Sequence, residues 1–212
     1  MLVRHCMTSN VRTLRPEQNC LDALHEMRRL RVRRMPVLRD DRLVGIVTLS
    51  GLYHVLPRTP AQADSAEGID AEERRVQQIM STPVKTLQPN DHLEAAAQMM
   101  LTEKISGVPV VRDEHLVGII TESDIFRAVW RVLGEGGGVR VILEEQHHTQ
   151  GAQPDYVALL LKHGCRLHSF LRFPGPDGGD LVHLRVVGPR ASALVDDLAA
   201  SAATLLSIDR TL

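Results

Sequence analysis

The sequence predicts an α+β protein. A helix–strand–strand–helix unit occurs twice, with pseudo-twofold symmetry, and a third unit of β-α-β-β-α-β order follows. Three observations carry this. Met7-Thr8, Pro16, Ala23, Met27, Pro36-Val37, Gly45-Ile46, Thr48 and Ser50 recur 73 residues later as Met80-Ser81, Pro89, Ala96, Met100, Pro109-Val110, Gly118-Ile119, Thr121 and Ser123. A repeat held in one register marks a supersecondary unit present twice, whose copies pack together around a cleft with two near-equivalent halves. Next, Gly136-Gly137-Gly138 closes the duplicated part, because successive glycines leave the backbone too free for a helix to persist. Finally, the pattern beyond those glycines matches neither copy.

In the second copy Leu93, Ala96, Ala97, Met100 and Leu101 fall on one face of a helix. Cys20, Ala23, Leu24 and Met27 are their counterparts in the first. Short β-rich runs follow, Met35–Leu38 and Leu43–Thr48 around Asp40-Asp41, then Val108–Val111 and Leu116–Thr121 around Arg112–His115. Helices Leu49–Leu56 and Glu122–Leu133 end the two copies, the latter opened by the capping pair Thr121 and Asp124. Pro57–Arg75 is rich in Pro, Ala, Asp and Glu, and reads as a linker with a short acidic helix near Glu72. The third unit reads as strand Val139–Leu143, a helix over Gln153–His163 starting near Pro154 and capped by Gly164, and strand Arg166–Arg172. A turn at Pro174–Gly179, strand Leu181–Val187, helix Arg190–Ala199 and strand Thr204–Ile208 complete it. That order is the ferredoxin-like arrangement. The predicted domains are 1–56, a linker 57–75, 76–133, a glycine-rich linker 134–138, and 139–212.

Composition narrows the function. One Trp, two Tyr and three Phe leave the core to aliphatic side chains. A net charge of −1 gives no overall attraction to nucleic acid or anionic membrane. No apolar run reaches the roughly 18 residues of a membrane span, and Met1–Cys6 lacks the apolar segment of a signal peptide. Cys6, Cys20 and Cys165 form no C-x-x-C pair, so reduced, buried thiols in a cytoplasm are expected. The arginines between Arg28 and Arg42 lack interleaved aromatics and are diluted by Glu26, Asp40 and Asp41. A solvated helix face accounts for them better than nucleic-acid binding. The histidines at 147, 148, 163, 168 and 183 share no ligand-like spacing with Cys or carboxylates, so no metal site is expected. With no phosphate loop, nucleophile elbow or metalloprotease helix, the chain is not expected to be an enzyme and needs no cofactor.

The chemistry-bearing motif is Thr121-Glu122-Ser123-Asp124, where a strand turns into a helix. Free backbone N–H groups gather there and attract phosphate. Thr121 and Ser123 are donors to phosphate oxygens, and Asp124 is an acceptor suited to ribose hydroxyls. The local alternative is an ordinary N-terminal cap, with Asp124 bonded to its own helix.

The duplicated part resembles a tandem pair of cystathionine-beta-synthase (CBS) domains, the Bateman module. The matching residues are Met80-Ser81, Val84, Thr86, Pro89, Ile105–Val110 and Leu116–Asp124, with Met7-Thr8, Val11, Thr13, Pro16, Val32–Val37 and Leu43–Thr48 in the first copy. The resemblance implies an adenine nucleotide (AMP, ATP or S-adenosylmethionine) in the cleft between copies, as a regulatory ligand. Carried over, one site joins Thr121, Ser123 and Asp124 to Ser9, Asn10, Arg33, Arg34 and Met35. The mirror site has Thr48 and Ser50 facing Val84, Lys85, Ser106, Gly107 and Val108. There Gly51 replaces the aspartate, so one competent site, or one tight and one weak, is expected. The third unit resembles an ACT domain through Gly151, Gly164 and Leu167, although His148-Thr149-Gln150-Gly151 departs from that family's acidic loop. The whole chain is similar to bacterial CBS–ACT regulatory proteins of the acetoin-utilisation B type. That likeness implies a cytoplasmic homodimer acting on an unknown regulated protein. The alternative is a structural or oligomerisation module with no physiological nucleotide.

Overall fold

The computed structural model describes residues 1–56, 73–133, 137–145, 154–176, 178–201 and 204–211. These residues form two compact units, Met1–Ala128 and Val129–Leu212. The expected linker helix near Glu72, Gly134–Gly136, the His147-His148 pair and the ACT-like loop through Gly151 lie outside the described residues.

In the first unit each copy supplies a helix, a β-hairpin and a second helix. They are α1 (Cys20–Leu30), β1 (Arg34–Arg39), β2 (Arg42–Thr48) and α2 (Leu49–Val55), then α3 (Leu93–Glu103), β3 (Gly107–Arg112), β4 (His115–Thr121) and α4 (Glu122–Leu133). The helix faces follow the periodicity, since Cys20, Ala23, Leu24 and Met27 are buried, as are Leu93, Ala96 and Met100. Leu101 is a correction. Expected on the apolar face, it is 80% exposed, because the face of α3 is narrower than the spacing suggested. Both hairpins turn through two residues of positive φ, Asp40-Asp41 (50° and 62°) and Asp113-Glu114 (50° and 67°). That is the geometry whose twist suits two-residue hairpins. The four strands form one sheet in the order β1-β2-β4-β3, the hairpins meeting at Arg42 and His115. Pro36 and Pro109, which cannot donate to a ladder, lie on the outer strands β1 and β3.

The copies exchange their opening segments. Val3, fully buried, sits in the core of the second copy with Leu87, Ala96, Val108 and Ile120. Val76, also fully buried, sits in the core of the first with Leu14, Met27, Met35 and Val47. Backbone bonds fix the exchange: Leu93 donates to the Met1 carbonyl at 2.8 Å and Cys20 to that of Arg74 at 2.9 Å. Thr8 pairs with Ile119, and Ser81 with Ile46.

The second unit contains β5 (Gly138–Glu145), α5 (Tyr156–His163), β6 (Arg166–Pro174), β7 (Asp180–Val187), α6 (Ala191–Ala199) and β8 (Thr204–Thr211). The sheet is antiparallel, in the order β6-β7-β5-β8. Alternate residues Val139, Val141 and Leu143 of β5, with Val182, Leu184 and Val186 of β7, meet Leu194, Val195 and Leu198 of α6. Helix α5 begins later than expected. Asp155 is its N-cap, accepting from the Ala158 N–H, so Pro154 precedes the helix instead of opening it. Gly164 ends it at φ 60°, its N–H reaching the Leu160 and Leu161 carbonyls, the left-handed cap a glycine adopts at least cost.

Of the three thiols only Cys20 is fully buried; Cys6 and Cys165 are half-buried. No helix among the described residues is long and apolar enough to cross a membrane.

Candidate functional site

Strand β4 delivers Thr121 to the start of α4, and residues from both copies converge on the space in front of it. A cavity of about 440 Å³ is lined by Thr121, Glu122, Ser123, Asp124 and Arg127 from the second copy, and by Thr8, Arg31, Val32, Arg33 and Arg34 from the first. Five of the sequence-predicted residues, Thr121, Ser123, Asp124, Arg33 and Arg34, are therefore brought together. Three are not. Met35 is buried in the first core, because it points to the inner face of β1. Ser9 and Asn10 are exposed and absent from the lining; the bridge between Thr8 and Ile119 turns Thr8 into the cavity in their place.

Asp124 is 5% exposed. Its Oδ2 accepts from the Thr121 N–H at 2.9 Å and the Thr121 hydroxyl at 2.7 Å. Its Oδ1 accepts from Arg127 Nη1 at 2.8 Å. A carboxylate offers about four acceptor positions, so the cap and the ion pair leave Oδ1 one to spare. The local cap thus forms, and the cavity beside it is open. In the first copy the hydroxyl works the other way: Thr48 Oγ1 accepts from the Gly51 N–H at 3.1 Å.

Arg34 reaches across the repeat, donating through Nη2 to Ser106 Oγ. The residue 73 positions after Arg34 is Gly107, and a Cβ there would run into the Arg34 guanidinium. The pseudo-symmetry is thus broken to admit one arginine. Burial lowers the Arg34 pKa, partly countered by the Glu122 carboxylate.

The mirror cavity, about 300 Å³, is lined by Thr48, Ser50, Val84, Lys85, Ser106 and Gly107, and also by Arg34 and Lys104. Val108 is a correction: it is fully buried in the second core. Lys85 is paired with Glu103 at 3.1 Å. A third hollow, near Thr13 and Asp41, shares no lining residue with either cavity and carries Glu17, Asp40 and Asp41.

Sequence reasoning missed Arg31, Arg127 and Thr8. Arg127 had a signal, since it lies three residues after Asp124 on one helix face. Arg31 had none, because its place on the lining follows from its left-handed conformation (φ 55°) at the end of α1.

The two pseudo-symmetric copies share one sheet and border two cavities, each lined by residues of both. The chain belongs to the CBS domain family, whose model matches residues 3–58 and 76–131. It is 32% identical over 136 residues to the CBS domain-containing protein YhcV of Bacillus subtilis, covering 64% of this chain and 89% of that protein. A solved structure of a putative acetoin utilization protein (AcuB) from Vibrio cholerae is 32% identical with a TM-score of 0.52, over 61% of this chain and 90% of that one. CBSX2, solved in complex with AMP, is 26% identical with a TM-score of 0.52, over 62% of this chain and 97% of that one. The chain spans less than half of several other curated relatives. The family model's two matches lie between residues 3 and 131.

Proposed function

We propose that this protein is a ligand-sensing regulator that binds an adenine nucleotide, of the AMP, ATP or S-adenosylmethionine class, between its two CBS copies. The observation that carries the reading is the single cavity joining Arg33 and Arg34 of the first copy to Thr121, Ser123 and Asp124 of the second. Ribose hydroxyls donate to the free acceptor position of Asp124, while Thr121, Ser123 and the arginines hold phosphate. CBSX2, of the same paired fold, carries AMP. The mirror cavity, with Gly51 in place of the carboxylate, is the weaker site. Helix α4 begins at the cavity and runs past Ala128, the last residue of the first unit. It is the covalent route by which a ligand that prefers one arrangement of the copies would act on the third unit, read as ACT-like, or on a regulated partner. A homodimer in the cytoplasm fits this role.

One observation favours a second reading, an assembly module without a physiological nucleotide. Phe126, Val129 and Trp130 are exposed along α4, a stripe suited to protein contact. Isothermal titration of the full chain with AMP, ATP and S-adenosylmethionine separates the two. Binding by wild type that is lost in Asp124→Ala and partly kept in Asp124→Asn supports sensing; no heat from any of the three supports assembly.

A further inference from the structure

We infer that the Asp124 cavity selects a nucleotide with a chain of phosphates, ATP or ADP, over a monophosphate, and rejects a sulfonium ligand such as S-adenosylmethionine. This rests on the adenine-nucleotide reading and specifies its ligand.

The cavity wall carries four guanidinium groups, Arg31, Arg33, Arg34 and Arg127, against two carboxylates, Glu122 and Asp124. The carboxylates are already engaged. Asp124 holds Arg127 at 2.8 Å, and Glu122 lies close enough to Arg34 to favour its charged form. Arg31 and Arg33 make no ion pair among the described residues. The cavity is therefore cationic in excess while empty, at a place where two successive residues, Arg33 and Arg34, enter from the opposite repeat.

Position adds to charge. Asp124 and Thr121 sit at the opening of α4, and Arg33 and Arg34 come from the segment leading into β1. A ribose on Asp124 therefore directs its 5′ substituent into space bordered by guanidinium groups. A guanidinium grips phosphate through two parallel N–H bonds, and each further phosphate supplies further oxygens to such a fork. A single phosphate offers these groups three terminal oxygens, and a chain of phosphates offers more. A sulfonium at the same 5′ position brings a positive charge against like charges, and its methionine arm offers one carboxylate where a phosphate chain offers many oxygens.

Arg34 is the adjustable member. It lines both cavities and is parked on Ser106. The bare Gly107 admits its guanidinium at the boundary of the two cavities, in space that a Cβ would take.

The test is isothermal titration of the full-length protein with ATP, ADP, AMP, adenosine, S-adenosylmethionine and inorganic tripolyphosphate. Wild type and the variants Arg33→Ala, Arg34→Ala and the double variant are compared, each checked for folding by circular dichroism. ATP is expected to bind about tenfold or more tighter than AMP, tripolyphosphate to bind measurably, and S-adenosylmethionine to bind most weakly. The ATP-to-AMP ratio should fall towards unity in the double variant. S-adenosylmethionine or adenosine binding as tightly as ATP, or a ratio untouched by the double variant, overturns the inference. Tripolyphosphate binding without any adenosine compound sinks the adenine reading alone and leaves the phosphate assignment standing. Absence of binding by both ATP and tripolyphosphate overturns the assignment itself.

Discussion

Asp124 and Gly51 occupy equivalent places in the two copies, and the difference between them sets what each cavity can hold. Asp124 ties its carboxylate to the Thr121 N–H and hydroxyl, so the residue read as a ligand anchor also closes its own helix. Asp124→Ala is expected to cost about 1 kcal/mol of stability, the usual loss on removing a capping side chain, measured by denaturant unfolding; Asp124→Asn should recover most of it. A second residue carries a pH signature. His183 on β7 has its Nδ1 buried without a partner, and burial, then Arg140 and Arg185, lower its pKa from the ordinary 6.5. The unfolded chain therefore binds the proton more readily than the folded one. Its contribution is present above pH 6.5 and declines as pH falls below that value. His183→Gln should flatten the fall in stability between pH 7 and about pH 5, read by thermal unfolding across that range.

At the scale of elements, the helix faces and hairpins were legible because burial imposes a period on sequence. Cys20, Ala23, Leu24 and Met27 announce the inner side of α1, and the acidic pairs at 40–41 and 113–114 announce turns. Leu101 misled because a lone leucine at the margin of a helix face reads the same whether it is covered or not. The exchange of opening segments left no trace for a different reason. Val3 and Val76 are equivalents in the repeat, so each copy's pattern is unchanged whether the segment packs on its own copy or on the other. Substitution reveals what the pattern hides. Val3→Ala removes two buried carbons and should destabilise by about 2 kcal/mol, with hydrogen exchange rising first in α3 and β3 of the second copy. Val76→Ala should loosen α1 and β1 instead.

For the molecule as a whole, the cores divide cleanly. The clusters around Met27 and around Met100 lie in the first unit, and the cluster around Leu184 lies in the second, with no residue in common. Calorimetry of the full chain should accordingly resolve two transitions. A nucleotide at 100 times its dissociation constant should stabilise only the first, by about 2.7 kcal/mol. The cavity was legible in outline because Thr121, Ser123 and Asp124 are contiguous in sequence. Its arginine-rich far wall was legible only in part, since Arg31 and Arg127 reach it through a helix end and a helix turn that fold alone creates.

The traded opening segments also govern how this protein is born. A nascent chain that has emerged through Val55 carries the residues of its first copy's helices and hairpin, but neither the valine buried in that core nor the methionine packed against it; these arrive with Val76 and Met80. The first half's core is completed only by a piece made with the second, while the piece that the second needs, Val3, is made before it. Splitting the gene between the copies would yield two fragments, each lacking the plug the other carries.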